Sequence, residues 1–284
     1  MKVAKTIKAV RKLVKVARSK GRETGFVPTM GALHKGHISL IEAAVKKTDF
    51  VVVSIFVNPA QFGPTEDFGR YPRPLKADLK ICGKAGVDVV FVPTAKEMYG
   101  ERNLTWVNVE KISEPLCGKF RPGHFLGVAT VCAKLFNIVL PDVAFFGQKD
   151  AQQAAIIKRM VADLKMPLKV VVCPTVREAD GLAMSSRNRY LTKKEREYAA
   201  YIYKSLRKCR QMVADGVKDS TKITSQMCRI LNNVPSIRIE YVSIVNAETL
   251  APIDRIAGKV LAAVAVKIGT TRLIDNVLLD AGDK

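Results

Sequence analysis

Two hydrophobic patterns alternate along the first 176 residues: short continuous apolar runs, and longer stretches in which apolar residues recur at helical spacing. The runs predict strands at Thr24–Pro28, Asp49–Asn58, Val87–Pro93, Leu104–Val109, Val143–Gly147 and Leu168–Val176. The helical stretches predict helices at Gly36–Lys47, Leu75–Ala85, Phe125–Leu140 and Asp150–Leu164. Continuous β-branched runs are typical of parallel strands buried on both faces. We therefore predict an α/β fold with a Rossmann-like parallel sheet and helices on both of its faces.

The pattern changes after Val176, where helices lengthen and the strands come later. The elements predicted there are a polar loop at Arg177–Arg189, helices at Lys193–Asp215 and Lys218–Leu231, and strands at Ile237–Val245, Val260–Ile268 and Arg272–Leu278. Residues 177–284 are thus predicted to form a smaller C-terminal α+β domain, and residues 1–176 the larger α/β domain.

The N-terminal segment Lys2–Arg22 carries nine basic residues and no acidic one. Its apolar residues fall at helical spacing, namely Ile7, Val10, Leu13, Val14 and Ala17. One helix face is therefore predicted to be buried while the Lys and Arg side chains are solvated. A strand and a Gly/His motif follow almost at once, which favours a structural helix over a targeting peptide or a nucleic-acid-binding arm.

Composition narrows the classes of protein further. With 284 residues, 48% hydrophobic and 26% charged, the sequence is typical of a folded globular protein. It has no run of roughly 18–20 apolar residues, so no membrane-spanning helix is predicted. The six scattered cysteines contain no CxxC pair, which favours reduced thiols and a cytoplasmic location. The net charge of +21 favours an anionic partner: nucleic acid, a membrane surface or a phosphorylated substrate.

The clearest chemical signal is the segment Pro28–His37, PTMGALHKGH, between the first predicted strand and a helix. Glycines let the backbone approach a ligand, and a helix start offers free N–H groups and a positive dipole end. Two of the three histidines of the chain, His34 and His37, lie here. They could donate hydrogen bonds to charge that develops on a bound phosphate. A metal pair lacks further ligands at suitable spacing, and a surface turn with incidental histidines is the other alternative.

Further polar segments follow other predicted strands. Lys149 offers a point charge to a phosphate, and Gln153 lies one helical turn beyond it. The loop at 175–188 contains two adjacent serines and Arg187, which suit a mobile polyphosphate clamp. Gln61 supplies an amide after the second strand. Open α/β sheets bind ligands at the carboxyl ends of their strands, so these segments are predicted to share one site with Pro28–His37.

The nucleotide signatures GxGxxG and GxxxxGK[ST] are absent, which argues against a dinucleotide-binding Rossmann site and a P-loop. The third histidine lies in Arg121-Pro-Gly-His124. It could help to close the site or cap the following helix, and the sequence leaves both readings open.

Five motifs, taken in their order and spacing, closely resemble the pantoate–β-alanine ligase family: PTMGALHKGH, FVNPAQF, RPGHFLGVATV, FGQKDAQQ and DGLAMSSRN. Weaker similarity extends through Ile239–Val242 and Arg272–Asn276. The segments His34–His37 and Met184–Arg187 also resemble the HIGH and KMSKS signatures of the wider adenylyl-transferring superfamily. The resemblance implies an ATP- and Mg²⁺-dependent, AMP-forming ligase that makes pantothenate, for coenzyme A synthesis, through a pantoyl-adenylate intermediate.

The resemblance also implies roles for individual residues. His37 is expected to have the main catalytic role, with His34, Lys149 and Arg187 as further catalytic donors. Gln61 and Gln153 are expected to hold pantoate, and Gln61 also borders the β-alanine position. The expected ATP-binding residues are Met30, Gly31, Ala32, Leu33, His34, Lys35, Gly36, His37, Gly147, Gln148, Lys149, Asp150, Val176, Met184, Ser185, Ser186 and Arg187.

The family resemblance further implies a cytoplasmic homodimer whose C-terminal domain acts as a lid over the nucleotide. Two alternative functions are weighed against it: an adenylyl transferase acting on a different acid, and a nucleic-acid-binding protein on a degenerate enzyme fold. The glutamines of FVNPAQF and FGQKDAQQ argue against the first, and the intact motifs without an RNA-binding module argue against the second.

We expect the charge of +21 to reflect composition rather than a second function. The prediction is that the protein does not bind duplex DNA at micromolar or lower concentration in physiological salt. A filter-binding or fluorescence-anisotropy titration checks this, and micromolar binding would overturn it.

Overall fold

The structure is a computed structural model that describes residues 1–282. It divides into two compact units. The first unit comprises Met1–Glu110, Arg121–Gln148 and Gln153–Pro174, and the second comprises Lys111–Phe120, Lys149–Gln152 and the chain from Thr175 onward. The predicted domain division at 176/177 stays a prediction.

The first unit contains a six-stranded sheet in which every pair of neighbours is parallel. Its strands are β1 (Lys2–Ala4), β2 (Thr24–Thr29), β3 (Phe50–Ile55), β4 (Val89–Phe91), β5 (Val143–Gly147) and β6 (Lys169–Cys173), in the spatial order β1-β4-β3-β2-β5-β6. The helices are α1 (Ile7–Arg18), α2 (Lys35–Lys47), α3 (Leu75–Lys84), α4 (Ala95–Tyr99), α6 (His124–Val139) and α7 (Ala151–Asp163). The predicted parallel α/β fold is therefore confirmed.

Apolar side chains cover both faces of this sheet. On one face Val27, Val53 and Phe145 join a buried core with Ile41 of α2 and Cys82 of α3. On the other face, edge-to-face aromatic contacts connect the sheet to α6. The ring of Phe136 lies 6.4 Å from those of Phe26 and Phe146. The β-branched runs thus form strands because both of their faces are buried.

The N-terminal helix has the face that its spacing predicts, with Val10, Val14 and Ala17 buried. Thr6 caps it by accepting the Ala9 N–H. The short strand β1 that precedes it was not predicted, because three residues at a sheet edge carry no periodic signal.

The strand predicted at Leu104–Val109 is wrong. Within residues 1–282 the segment pairs with no strand, and the Val107 N–H donates instead to the Thr130 hydroxyl at 3.0 Å. Leu104 and Trp106 are 75% and 47% exposed, so the apolar residues that suggested a strand do not face a sheet.

The second unit contains an antiparallel sheet in the order β7-β8-β9, formed by Ile237–Asn246, Lys259–Ile268 and Thr271–Asp280. Its helices are α5 (Cys117–Phe120), α8 (Lys193–Ala214) and α9 (Ser220–Asn232). Apolar residues of α8, α9 and the strands, among them Leu206, Met227 and Val264, form one buried core. The predicted smaller α+β fold is confirmed for this unit. Over residues 1–282, none of the helices has the length and apolar composition needed to cross a membrane.

Candidate active site

The centre of the parallel sheet is a topological switch point. From β2 the chain moves to β3 and β4 on one side, whereas β5 and β6 lie on the other side of β2. Connections that leave β2 and β5 therefore diverge and open a crevice at their carboxyl ends. Met30–His37 follows β2 and Gln148 follows β5, so the fold brings these predicted segments to the same edge.

The backbone after β2 is held in an unusual conformation. Gly31 and Ala32 both have positive φ angles, +81° and +50°, which are costly for alanine. The carboxylate of Asp78 on α3 accepts the N–H groups of Ala32 and Leu33 at 2.9 and 2.8 Å. Asp78 is only 1% exposed, so its side chain is a buried support for the loop that carries the two histidines.

The two histidines form a reciprocal cap at the start of α2. The Nδ1 atom of His34 accepts the Gly36 N–H at 3.2 Å, and Nδ1 of His37 accepts the His34 N–H at 3.3 Å. The ring centroids lie 4.1 Å apart. Since Nδ1 acts as an acceptor in each ring, the neutral tautomer carries its proton on Nε2. Both imidazoles can thus donate from Nε2 at a helix N-terminus, where an anion is favoured.

The Gln61 amide is oriented by its neighbours in the short 3₁₀ turn Pro59–Gln61 after β3. Its Oε1 accepts from Asn58 Nδ2 at 3.1 Å, and its Nε2 lies 3.1 Å from the Sδ atom of Met30. Asn58 is fixed in turn by the Tyr99 hydroxyl, which donates to its Oδ1 at 2.6 Å. Burial raises the pKa of Tyr99 to about 12, so it remains a donor at neutral pH. The β3 loop and the Pro28–His37 loop are therefore in direct contact.

Arg121 and His124 hold the main chain of Gln61. His124 Nδ1 lies 2.8 Å from the Gln61 carbonyl, and Arg121 Nη1 lies 2.9 Å from His124 Nε2. Arg121 also binds both carboxylate oxygens of Glu66 at 2.7 and 2.6 Å. Burial opposes ionisation of Glu66, but the hydrogen bonds and charge of Arg121 keep its pKa below the usual value. The N-cap residue of α6 is Gly123, and the His124 ring at the first position of the helix contacts the Gln61 carbonyl.

Gly127 allows α6 to pack against this turn. A Cβ atom at that position would overlap the Ala60 carbonyl and lie 2.7 Å from Gln61 Cα.

We expect Gly127→Ala to displace Gln61 and to lower kcat/KM for the substrate that Gln61 binds by about one to two orders of magnitude. Steady-state kinetics check this, with Gly83→Ala as a control. The control's added methyl would make only ordinary contacts, at 3.8 Å or more. Unchanged kinetics in Gly127→Ala would contradict the prediction.

The adjacent glutamines 152 and 153 have different environments. Gln152 is buried, and its amide is fully used by main-chain groups: it donates to the Ile112 and Pro115 carbonyls and accepts the Cys117 N–H. Gln153 is only partly buried. Gln152 thus holds the 112–117 segment, and Gln153, the residue chosen from the sequence, is its more exposed neighbour.

The predicted residues Lys149, Asp150, Val176 and Met184–Arg187 lie in the second unit, whereas Gly147 ends β5 in the first. Lys149 and Asp150 belong to a 3₁₀ turn, and their side chains are 3.5 Å apart. Val176 opens a hairpin in which its carbonyl accepts the Met184 N–H at 3.0 Å. Ser185 then caps the 3₁₀ helix Ser186–Tyr190 by accepting the Arg187 N–H at 3.2 Å. The phosphate-binding candidates of this unit therefore lie on two short 3₁₀ turns and the hairpin between them.

Arg196 of α8 anchors this hairpin. It binds Asp180 and Glu178 at 2.6 Å each, and its hydrogen bond to Asp180 holds the pKa of that carboxyl below its usual value. Asn188 Nδ2 donates to Glu178 Oε1 at 2.9 Å and to the Ala183 carbonyl at 3.2 Å. The loop at 175–188 thus forms a hairpin held by these contacts, and its role as a mobile clamp stays a prediction.

A parallel sheet with a capped helix N-terminus and two imidazoles at its switch point defines an α/β enzyme class that binds phosphate-bearing ligands. The model of the pantoate–β-alanine ligase family matches residues 2–278 of the chain. The chain therefore belongs to the pantoate–β-alanine ligase family.

Individual relatives agree along nearly the whole chain. A pantothenate synthetase of Acetivibrio thermocellus is 52% identical over 280 residues, which cover 99% of this chain and 100% of that protein. The crystal structure of pantothenate synthetase from Thermus thermophilus is 43% identical with a TM-score of 0.94, covering 99% and 100% of the two chains. A pantoate–β-alanine ligase from Francisella tularensis, complexed with beta-gamma ATP and β-alanine, is 37% identical with a TM-score of 0.80, covering 98% and 97%.

Proposed function

We propose that this ligase condenses pantoate with β-alanine to form pantothenate, using ATP and releasing AMP and pyrophosphate. The observation that carries the proposal is the contact between two loops at one sheet edge: Gln61 Nε2 lies 3.1 Å from Met30 Sδ, and the loop that contains Met30 leads to His34, the N-cap of α2. An anion-binding helix start and an oriented amide are thereby neighbours. This combination suits adenylation of a hydroxy acid, because the helix start favours phosphate and the amide can hydrogen-bond to the acid.

ATP is proposed to bind to Met30–His37, Gly147–Asp150, Val176 and Met184–Arg187. The helix start and the Nε2–H groups of His34 and His37 are suitable donors for phosphate oxygens. The cationic side chains of Lys149 and Arg187 can interact with the same polyphosphate. We propose that these groups donate to the α-phosphate and the departing pyrophosphate, where negative charge develops.

The first chemical step is attack by a pantoate carboxylate oxygen on the α-phosphorus of ATP. The new P–O bond forms as the bond to pyrophosphate breaks, and the product is pantoyl adenylate. His37 donates from Nε2 to phosphate oxygens that become more negative in the transition state. No covalent bond to the protein is needed.

The second step joins the acyl group to β-alanine. The β-alanine amine attacks the acyl carbon, a proton leaves the nitrogen, and AMP departs with the electron pair of the former acyl–oxygen bond. Gln61 and Gln153 are proposed to hold pantoate, and Gln61 also borders the amine. Neutral amides can recognise the hydroxyl and carboxylate oxygens of pantoate without a cationic pairing that would weaken the carboxylate as a nucleophile.

Mg²⁺ is proposed to arrive with ATP. Among residues 1–282 no three His, Cys, Asp or Glu side chains group as ligands. Mg²⁺ commonly binds through substrate phosphates, waters and one or two carboxylates, and Asp150 offers a carboxylate beside Lys149. The ion would neutralise phosphate charge.

We also propose that the protein is a cytoplasmic homodimer. The exposed apolar side chains of Leu104 and Trp106 support an interface between two copies.

The test of this function is AMP release from ATP and Mg²⁺, with pantoate and β-alanine supplied together and then omitted one at a time. We expect AMP formation to require both acids, and pantoate alone to support exchange of pyrophosphate into ATP. The assignment of pantoate would be refuted by a folded sample that forms AMP only with a different acid, or that forms no AMP with any of these substrates.

A further inference from the structure

The segment Arg272–Asn276 resembles the family in sequence but has no role in the site described above. It lies in β9, and two of its residues, Asp275 and Asn276, are polar yet only 2% and 5% exposed. Burying a polar side chain costs free energy unless it is hydrogen-bonded, so the partners of these two residues matter. Their partners are residues next to or within the two ATP-binding segments of the second unit.

Asn276 holds the main chain of Lys149. Its Nδ2 atom donates to the Lys149 carbonyl at 2.8 Å. Because a 3₁₀ turn is short, fixing this carbonyl also fixes the direction in which the Lys149 side chain leaves the backbone. That side chain is 21% exposed, and its ammonium group lies 3.5 Å from the Asp150 carboxylate.

Asp275 holds Arg177, the residue after Val176. Its carboxylate accepts Arg177 Nη1 at 2.5 Å and Nη2 at 3.0 Å, and also the Asn276 N–H at 2.8 Å. A bidentate pair of this kind fixes the plane of the guanidinium group. Burial raises the pKa of Asp275, while the charges of Arg177 and Lys149 act in the opposite direction and favour the carboxylate.

The Arg177 guanidinium then connects several parts of the hairpin. It donates to the Gly181 carbonyl at 3.0 Å and lies 3.9 Å from the ring centroid of Tyr203 on α8. The backbone of Arg177 pairs with Ala183, one residue before Met184. Asp275 therefore fixes the hairpin that begins at Val176 and leads to Met184–Arg187.

We propose that Asp275 and Asn276 are positioning residues for ATP: one dipeptide of β9 sets Lys149 through its carbonyl and the Val176–Arg187 segment through Arg177. The inference rests on the proposed function, because it assumes that these two segments bind ATP. A purely stabilising role explains the arrangement less well, since buried ion pairs are often no more stabilising than apolar residues of similar volume. Neither residue is assigned contact with the reacting atoms.

The test measures the two half-reactions separately in Asn276→Ala. Rapid-quench formation of pantoyl adenylate reports the ATP step. Addition of β-alanine to preformed bound adenylate, with pyrophosphatase present, reports the second step. We expect Asn276→Ala to slow adenylate formation by about 10–100-fold and to raise the Kd for ATP, as expected for a misplaced donor. The β-alanine step should change by less than about threefold. Equal loss in both steps, or no loss, would overturn the proposal.

A double-mutant cycle with Lys149→Ala adds a readout that a structural role would not give. If Asn276 acts through Lys149, then Asn276→Ala has little further effect on adenylate formation in the Lys149→Ala background. If Asn276→Ala slows adenylate formation by the same factor with and without Lys149, the proposed connection between the two residues is refuted. Wild-type protein that binds ATP but forms no AMP with pantoate would instead refute the proposed function, and the Kd for ATP in Asn276→Ala would still decide the positioning role.

Asp275→Asn tests the contact between Asp275 and Arg177. Asp280→Asn is its control, because it makes the same change at an exposed position of the same strand. We expect Asp275→Asn to raise the Kd for ATP at least tenfold and Asp280→Asn to leave it unchanged. Equal Kd values in the two variants would contradict the role of Asp275. Circular dichroism is recorded for each variant. If Asp275→Asn does not fold, the decision rests on Asn276→Ala and its cycle.

Discussion

Replacement of His37 by alanine is expected to lower kcat by about 10²–10³-fold, the usual scale for loss of a transition-state donor. The geometry gives the reason. Nδ1 of His37 accepts the His34 N–H, so the neutral ring carries its proton on Nε2, at the start of α2 where we propose that phosphate binds. That donor gains strength as charge develops on the α-phosphate, so the main effect falls on kcat rather than on KM for ATP. Steady-state kinetics with saturating substrates measure it.

Two further variants separate this role from the capping role. His37→Gln offers an amide oxygen for the cap and an N–H donor for the phosphate, so it should recover part of kcat. Lys46→Ala, at the other end of the same helix, should behave as wild type. A His37→Ala variant that retains nearly full kcat would show that this imidazole is not the transition-state donor.

Replacement of Asp78 by asparagine is expected to give the second large effect, on both stability and activity. The change turns one of two buried acceptors into an NH₂ group that faces a main-chain N–H, either Ala32 or Leu33. An unsatisfied buried donor costs about 1–3 kcal/mol, and the positive φ angles of Gly31 and Ala32 lose their support. We expect the free energy of unfolding to fall by that amount, with kcat falling at least tenfold because His34 and His37 follow this loop.

Urea unfolding and steady-state kinetics check the Asp78 prediction. Asp163→Asn is the matched control, since Asp163 is exposed on α7 and pairs with Arg159 in the same helix. It should change neither quantity measurably. If Asp78→Asn were as stable and as active as this control, the loop would not depend on the buried carboxylate.

The sequence pattern was sufficient for the parallel sheet because burial on both faces leaves continuous β-branched runs, as in Phe50–Ile55. It failed at Leu104–Val109, since an apolar run does not reveal whether a neighbouring strand is available. The order of the strands, which places β2 between β3 and β5, is a property of tertiary packing. Spacing along the chain does not determine it.

The candidate site shows the same difference between local motifs, which the sequence reveals, and tertiary contacts, which it does not. The residues that could meet ATP stand in local motifs, so His37, Lys149 and Arg187 could be chosen from the sequence. The residues that hold them could not be chosen in this way. Asp78 lies more than forty positions after the loop that it supports, and Asn276 lies 127 positions from Lys149. Only the three-dimensional fold brings such partners together.

The proposed function depends above all on attack by a pantoate carboxylate oxygen on the α-phosphorus of ATP. Turnover of pantoate labelled with ¹⁸O in its carboxylate, followed by mass spectrometry of the products, tests this step most directly. We expect one ¹⁸O atom to appear in the phosphate of AMP, since the acyl–oxygen bond breaks when β-alanine attacks. Unlabelled AMP, with the ¹⁸O that leaves the carboxylate found instead in phosphate, pyrophosphate or water, would contradict an adenylate intermediate.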